Sequence, residues 1–116
     1  MALNEMERGV IVYRIHKGGC LTGIWTNDDE RCVENIFAEC ARKNDKKTDI
    51  IEGEYVVSWI DLDNKPTNGI LNIVTKGNNF LLTWLVDDKI IFNGLGIMKG
   101  KKHLIVAYGL DKDYVE

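Results

Sequence analysis

The sequence predicts a mostly β fold, an antiparallel meander closing into a small barrel, with one amphipathic helix packed against it. Three observations predict it. The first is an internal repeat: Tyr55-Val56-Val57-Ser58-Trp59-Ile60 reappears as Phe80-Leu81-Leu82-Thr83-Trp84-Leu85, and Asn68-Gly69-Ile70 as Asn93-Gly94-Leu95. Each copy reads as a strand ending in tryptophan, a turn, and a second strand opening at Asn-Gly, which is the unit of a meander. The second is that the links between strand-like runs are short, so successive strands become antiparallel neighbours. The third is a single stretch where apolar residues leave alternation and recur at helical spacing.

Taken in order, Gly9 to His16 is a Val/Ile/Tyr-rich strand, Lys17-Gly18-Gly19 a turn, and Cys20 to Thr26 the hairpin partner. Val33, Ile36, Phe37 and Cys40 then fall at i, i+3, i+4 and i+7, one stripe of a helix over about 28–43. Asn27 is its expected N-cap and Glu30 completes a capping-box variant. Asp28, Asp29 and Glu30 sit at the positive end of the dipole, and Arg42 and Lys43 at the negative end. Asn44 to Thr48 is a polar connector. Further strands follow at about 52–61, 69–75, 79–86, 89–98 and 103–109. Asp87-Asp88 is a two-residue hairpin link without the glycine such turns favour. The total is seven strands and one helix in one domain, 1–116.

Alternation sorts the faces. Tyr55, Val57 and Trp59 share one face, and Phe80, Leu82 and Trp84 the matching one; these are expected inside. The opposite faces are aliphatic with hydroxyls, and part of them should be covered by the helix or another subunit. Gly94 and Gly96 leave room for a neighbouring tryptophan.

The bulk properties exclude several function classes. Hydrophobic content of 45% and charged content of 28% are those of an ordinary globular chain. A net charge of −3 with no basic block argues against nucleic acid, whose backbone requires clustered cations. No apolar run approaches the ~20 residues of a membrane helix, and the acidic start lacks a signal-peptide h-region. Three irregularly spaced cysteines make no disulfide framework, which points to the cytoplasm.

The pattern Gly53-x-Tyr55-x-Val57-x-Trp59, Gly69-x-Leu71-x-Ile73, Phe80-x-Leu82-Thr83-Trp84, Phe92-x-Gly94-x-Gly96 and Leu104-x-Val106-x-Tyr108-Gly109 resembles small uncharacterised bacterial calycin-like proteins, in the lipocalin and avidin style of barrel. The resemblance spans most of the strand region but not the helix, and it brings no catalytic residues. It implies a calycin-like barrel. In such proteins, strands like Gly9–Tyr13 and Leu21–Trp25 follow the last one, whereas here they come first. That implies a permuted closure, either 9–15 pairing with 103–109 in one chain or strand exchange in a dimer. The avidin-like opening Leu21-Thr22-Gly23-Ile24-Trp25 carries over only Asn27, which the N-cap explains better than biotin does.

Tyr13, Tyr55, Trp59, Trp84, Phe92 and Tyr108, with Trp25, either line a cavity for one small ligand or fill the lumen. Arg14 shares a face with Val10 and Val12; turned inward it would meet an anionic headgroup, turned outward it is an ordinary surface cation. His16, His103 and the cysteines have no metal-ligand spacing. Asp61-Leu62-Asp63-Asn64 opens like a calcium loop but continues with Lys65 and Pro66, which fails the pattern. No nucleophile has a base at motif spacing, so no catalytic residue, cofactor or metal is expected. The expected function is non-catalytic binding of a small, partly apolar ligand in an aromatic-lined lumen. The alternative is a solid barrel whose outer face forms a homodimer or docks a partner, and an enzyme comes third.

Overall fold

The computed structural model describes residues 8–44, 50–60 and 64–114. Eight strands follow one another: β1 (Arg8–His16), β2 (Cys20–Asn27), β3 (Phe37–Lys43), β4 (Gly53–Ile60), β5 (Pro66–Lys76), β6 (Asn79–Val86), β7 (Lys89–Lys99) and β8 (His103–Leu110). Each pairs antiparallel with the next, and β1 pairs with β8 to close the barrel in sequence order. Closure lies within one chain: Arg8–Arg14 runs antiparallel to His103–Gly109. The Asp87-Asp88 link is the expected tight hairpin, with φ of 51° and 65° at its two central residues. This positive-φ pair is what a two-residue hairpin of the primed type demands, and aspartate tolerates it better than most residues.

The helix over 28–43 is not there, and among the described residues there is no helix at all. Its start signals are used in a single turn. Asn27 Oδ1 accepts from the Asp29 amide (3.1 Å), while the Asp29 carbonyl accepts from the Cys32 amide (2.8 Å) and the Val33 amide (3.0 Å). The chain then extends as β3, hydrogen-bonded to β2 on one edge and β4 on the other. Without it, β2 and β4 would each leave an open edge. Two ladders outweigh a helix propensity worth only tenths of a kcal/mol per residue. The supposed buried stripe is not buried: Val33 is 58% and Ile36 72% exposed. Lys43, expected at a helix end, is instead a buried β3 residue whose Nζ donates to the Ile50 carbonyl.

The expected inward faces of β4 and β6 are the observed ones. Tyr55, Val57, Leu82 and Trp84 are buried, and Trp59 and Phe80 pack against the core at half burial. On β1 the buried residues are Ile11 and Tyr13, so Val10, Val12 and Arg14 face outward. Missing side chains seat the interior rings. A Cβ on Gly23 would lie 2.8 Å from the Tyr13 ring, one on Gly94 would lie 3.0 Å from Trp84, and one on Gly9 would strike the Tyr108 ring. Of the two β7 glycines, Gly94 admits the neighbouring Trp84 as expected, whereas Gly96 lies against Leu82, Leu104 and Val106. The calcium-loop residues Asp61–Asp63 and most of the 44–48 connector lie outside the described residues.

Candidate functional site

One end of the barrel gathers the starts of β1, β3, β5 and β7 with the ends of β2, β4, β6 and β8. Inward residues near this end are aromatic on nearly every strand. Trp25 stacks on Phe37 at 4.6 Å between centroids. Trp84 meets Phe92 edge-on at 6.4 Å and Tyr108 at 5.9 Å, and Phe92 meets Tyr108 edge-on at 5.4 Å. Trp25, Phe37, Trp59 and Phe92 remain half-buried at this rim, while Trp84 below them is closed off.

Into this cluster β3 sends a carboxyl. Glu39 pairs in register with Gly23 on β2 and Trp59 on β4, and is 6% exposed. The Tyr13 hydroxyl and the Trp84 indole Nε1 (3.4 Å) both donate to its Oε2. Burial raises the Glu39 pKa from 4.5 to about 7, with the Tyr13 and Trp84 hydrogen bonds acting the other way. Burial also lifts the Tyr13 phenol well above its ordinary value, and the Glu39 charge adds to it. Alongside, Asn27 Nδ2 donates to the Tyr108 hydroxyl at 3.2 Å.

The second Glu39 oxygen, Oε1, accepts from no described donor. Every fully buried side-chain nitrogen or oxygen among the described residues has a partner. Oε1 is therefore not fully enclosed.

Five of the seven expected site residues, Tyr13, Trp59, Trp84, Phe92 and Tyr108, belong to this inward cluster. Tyr55 is inside but at the opposite end, its hydroxyl donating to the Ile51 carbonyl (2.7 Å) and the Lys43 ammonium 5.5 Å from its ring. Burial pushes its pKa up to about 12. Arg14 is outside the barrel. Together with Val12, Ile24, Cys40 and His103 it lines a trough of about 700 Å³ along β1–β4, whose wall also includes Glu39 and Trp59.

Sequence reasoning missed Glu39 because it lay within the expected helix. The signal that could have found it is the alternation Phe37, Glu39, Ala41, Lys43 on one face. In the middle of the barrel the lumen is full. Tyr13 is 0% and Trp84 2% exposed, and Val57, Leu71, Leu104 and Val106 are equally closed, so no water-sized void touches them. Eight-stranded barrels are just wide enough for side chains to fill in this way.

Among the described residues no group of three or more His, Cys, Asp or Glu is placed to hold a metal, and no disulfide joins the cysteines. No described helix is long and apolar enough to cross a membrane, which says nothing about strands. No family model, curated protein or solved structure matches the chain. The closed, eight-stranded antiparallel barrel is consistent with a calycin-like fold.

Proposed function

We propose that this chain is a non-catalytic binding protein that takes a small, partly apolar molecule at the aromatic end of its barrel, rather than deep within it. The observation that carries this reading is the buried Glu39 carboxyl, with one oxygen unengaged, beside its half-buried register partner Trp59 and bonded to Trp84, on which half-buried Phe92 packs. The middle of the barrel is too full to admit a ligand, which moves the expected site from the whole lumen to its rim.

Magnitudes fit a rim site with a polar anchor. Covering roughly 100 Å² of ring surface contributes about 2.5 kcal/mol. Alone that is tens of millimolar. A hydrogen bond to a charged group adds about 1.5–3 kcal/mol, which brings affinity toward the submillimolar range. The carboxyl, not the rings, then decides whether binding is useful. Kinship with bacterial calycin-like proteins, with the first two strands moved to the front, belongs to the same reading, as does a cytoplasmic setting, in keeping with cysteines that form no disulfide.

Native mass spectrometry of protein purified from its own host tests the proposal. The expected result is a co-purifying small molecule that Trp59→Ala and Phe92→Ala release while the barrel stays folded. Protein free of any adduct, with no stabilising compound in a broad thermal-shift screen, would contradict it.

A specific observation favours a second reading, the homodimer. Outward residues form two adjacent apolar rows across neighbouring strands. One row is Val74, Leu81, Leu95, Ala107 and Val10; the other is Ile97, Ile105, Val12, Ile24 and Ala38. Most of them are about half exposed, well beyond a scatter of single apolar side chains. Covering them with a second copy would contribute roughly 6–10 kcal/mol per partner, against an association cost of about 4–15 kcal/mol. The balance predicts a concentration-dependent dimer, read by light scattering. A monomer at every concentration would remove this reading.

A further inference from the structure

The rim site has an acceptor that no described cation pairs with. Among the described residues no Lys, Arg or His forms an ion pair with Glu39; the ion pairs present are Arg8–Asp28 (3.3 Å) and Arg31–Asp29 (3.2 Å). Lys43 is committed at the other end of the barrel; Arg14 and His103 line the trough along β1–β4, whose wall also includes Glu39 and Trp59, but neither pairs with the Glu39 carboxyl. A carboxyl taken out of water without a counter-charge is costly, and supplying the opposite charge relieves that cost. Its two protein donors, from Tyr13 and Trp84, share Oε2 and leave Oε1 to a third. Trp84, which bonds Glu39, packs with Phe92 and Tyr108, and the faces of such rings attract cations.

We propose that the ligand is an amine: a small apolar body carrying an ammonium group that donates to Glu39 Oε1, with its body against Trp59 and Phe92. This rests on the rim-site reading and narrows it. An anionic ligand such as a fatty acid would place two carboxyls together and would require Glu39 to hold its proton, which disfavours it against an amine at pH 7.5.

The test uses three probes of one shape on the full chain: 2-phenylethylamine, 2-phenylethanol and 3-phenylpropanoate, followed by tryptophan emission and calorimetry at pH 7.5. The amine is expected to bind at least tenfold tighter than the alcohol, and the acid not to bind. Glu39→Gln, close to isosteric, should erase the preference for the amine over the alcohol. Equal binding of amine and alcohol to the unmodified protein, with both shifting an emission that Trp59→Phe abolishes, would overturn the amine and leave the rim site standing. Tighter binding of the acid would do the same. No response to any probe would overturn both. The comparison among probes on the unmodified chain stands even where a variant fails to fold.

Discussion

Glu39 is the residue on which most consequences converge. Its folded pKa of about 7 lies above the 4.5 of an ordinary glutamate because burial penalises the charge. Between those values the folded chain holds a proton that the unfolded chain has lost. The stability this group contributes is therefore full below about pH 4.5 and is lost as pH rises through about 7, a swing of about 3 kcal/mol. Glu39→Gln should remove that swing, so denaturant midpoints of variant and parent should diverge between pH 5 and 8 in the variant's favour. Parallel profiles would show that the carboxyl is solvated. Tyr13→Phe takes away a hydrogen bond that favours the ionised form, so Glu39 should then titrate higher still; a lower value would contradict the bond. Gly23 acts by absence. A methyl there meets the Tyr13 ring at 2.8 Å, and Gly23→Ala should cost about 1–3 kcal/mol by urea unfolding. Why Glu39 escaped the sequence is a matter of context. A glutamate in a run of good helix formers reads as a solvated helix residue, and nothing within seven positions reveals Tyr13 or Trp84 above and below it.

At the scale of elements, the repeated tryptophan strands were legible because alternation is strict where one face is buried and turns are short. Tyr55, Trp59, Trp84 and the glycines of β7 all lie where that pattern puts them. β3 was not legible. Phe37-Ala38-Glu39-Cys40-Ala41-Arg42-Lys43 has no β-branched residue, and its local preference is helical. The two ladders it completes are non-local, 12–22 residues away in sequence, and no local window contains them. Ala38 faces outward and is exposed, so Ala38→Thr tests the assignment. In a strand the change should be neutral or add about 0.5 kcal/mol, whereas in a helix it would cost about as much. The Asp87-Asp88 turn gives a second check at this scale. Both residues carry positive φ, so Asp88→Gly should raise stability by about 0.5–1 kcal/mol in thermal unfolding. A loss would mean the aspartate side chain contributes to the turn. Arg14 shows the opposite limit of alternation: the period groups it correctly with Val10 and Val12 but does not say which group faces in.

For the whole molecule, closure is what makes the interior and exterior distinct. Pairing β1 with β8 leaves no sheet edge, packs the middle of the barrel solid, and confines any ligand to an end or to the outer wall. It also brings five aromatic residues from five strands, Tyr13, Trp59, Trp84, Phe92 and Tyr108, into the interior that holds Glu39. Everything functional in this account depends on β3 delivering Glu39 to that interior. The most direct measurement is a pH titration of the carboxyl signals by NMR in protein carrying carbon-13 at the glutamate side-chain carboxyls. One glutamate, assigned by its loss in Glu39→Gln, is expected to titrate near pH 7, with the others in the ordinary range. All glutamates titrating near pH 4.5 would place Glu39 in water and leave the barrel without its anchor.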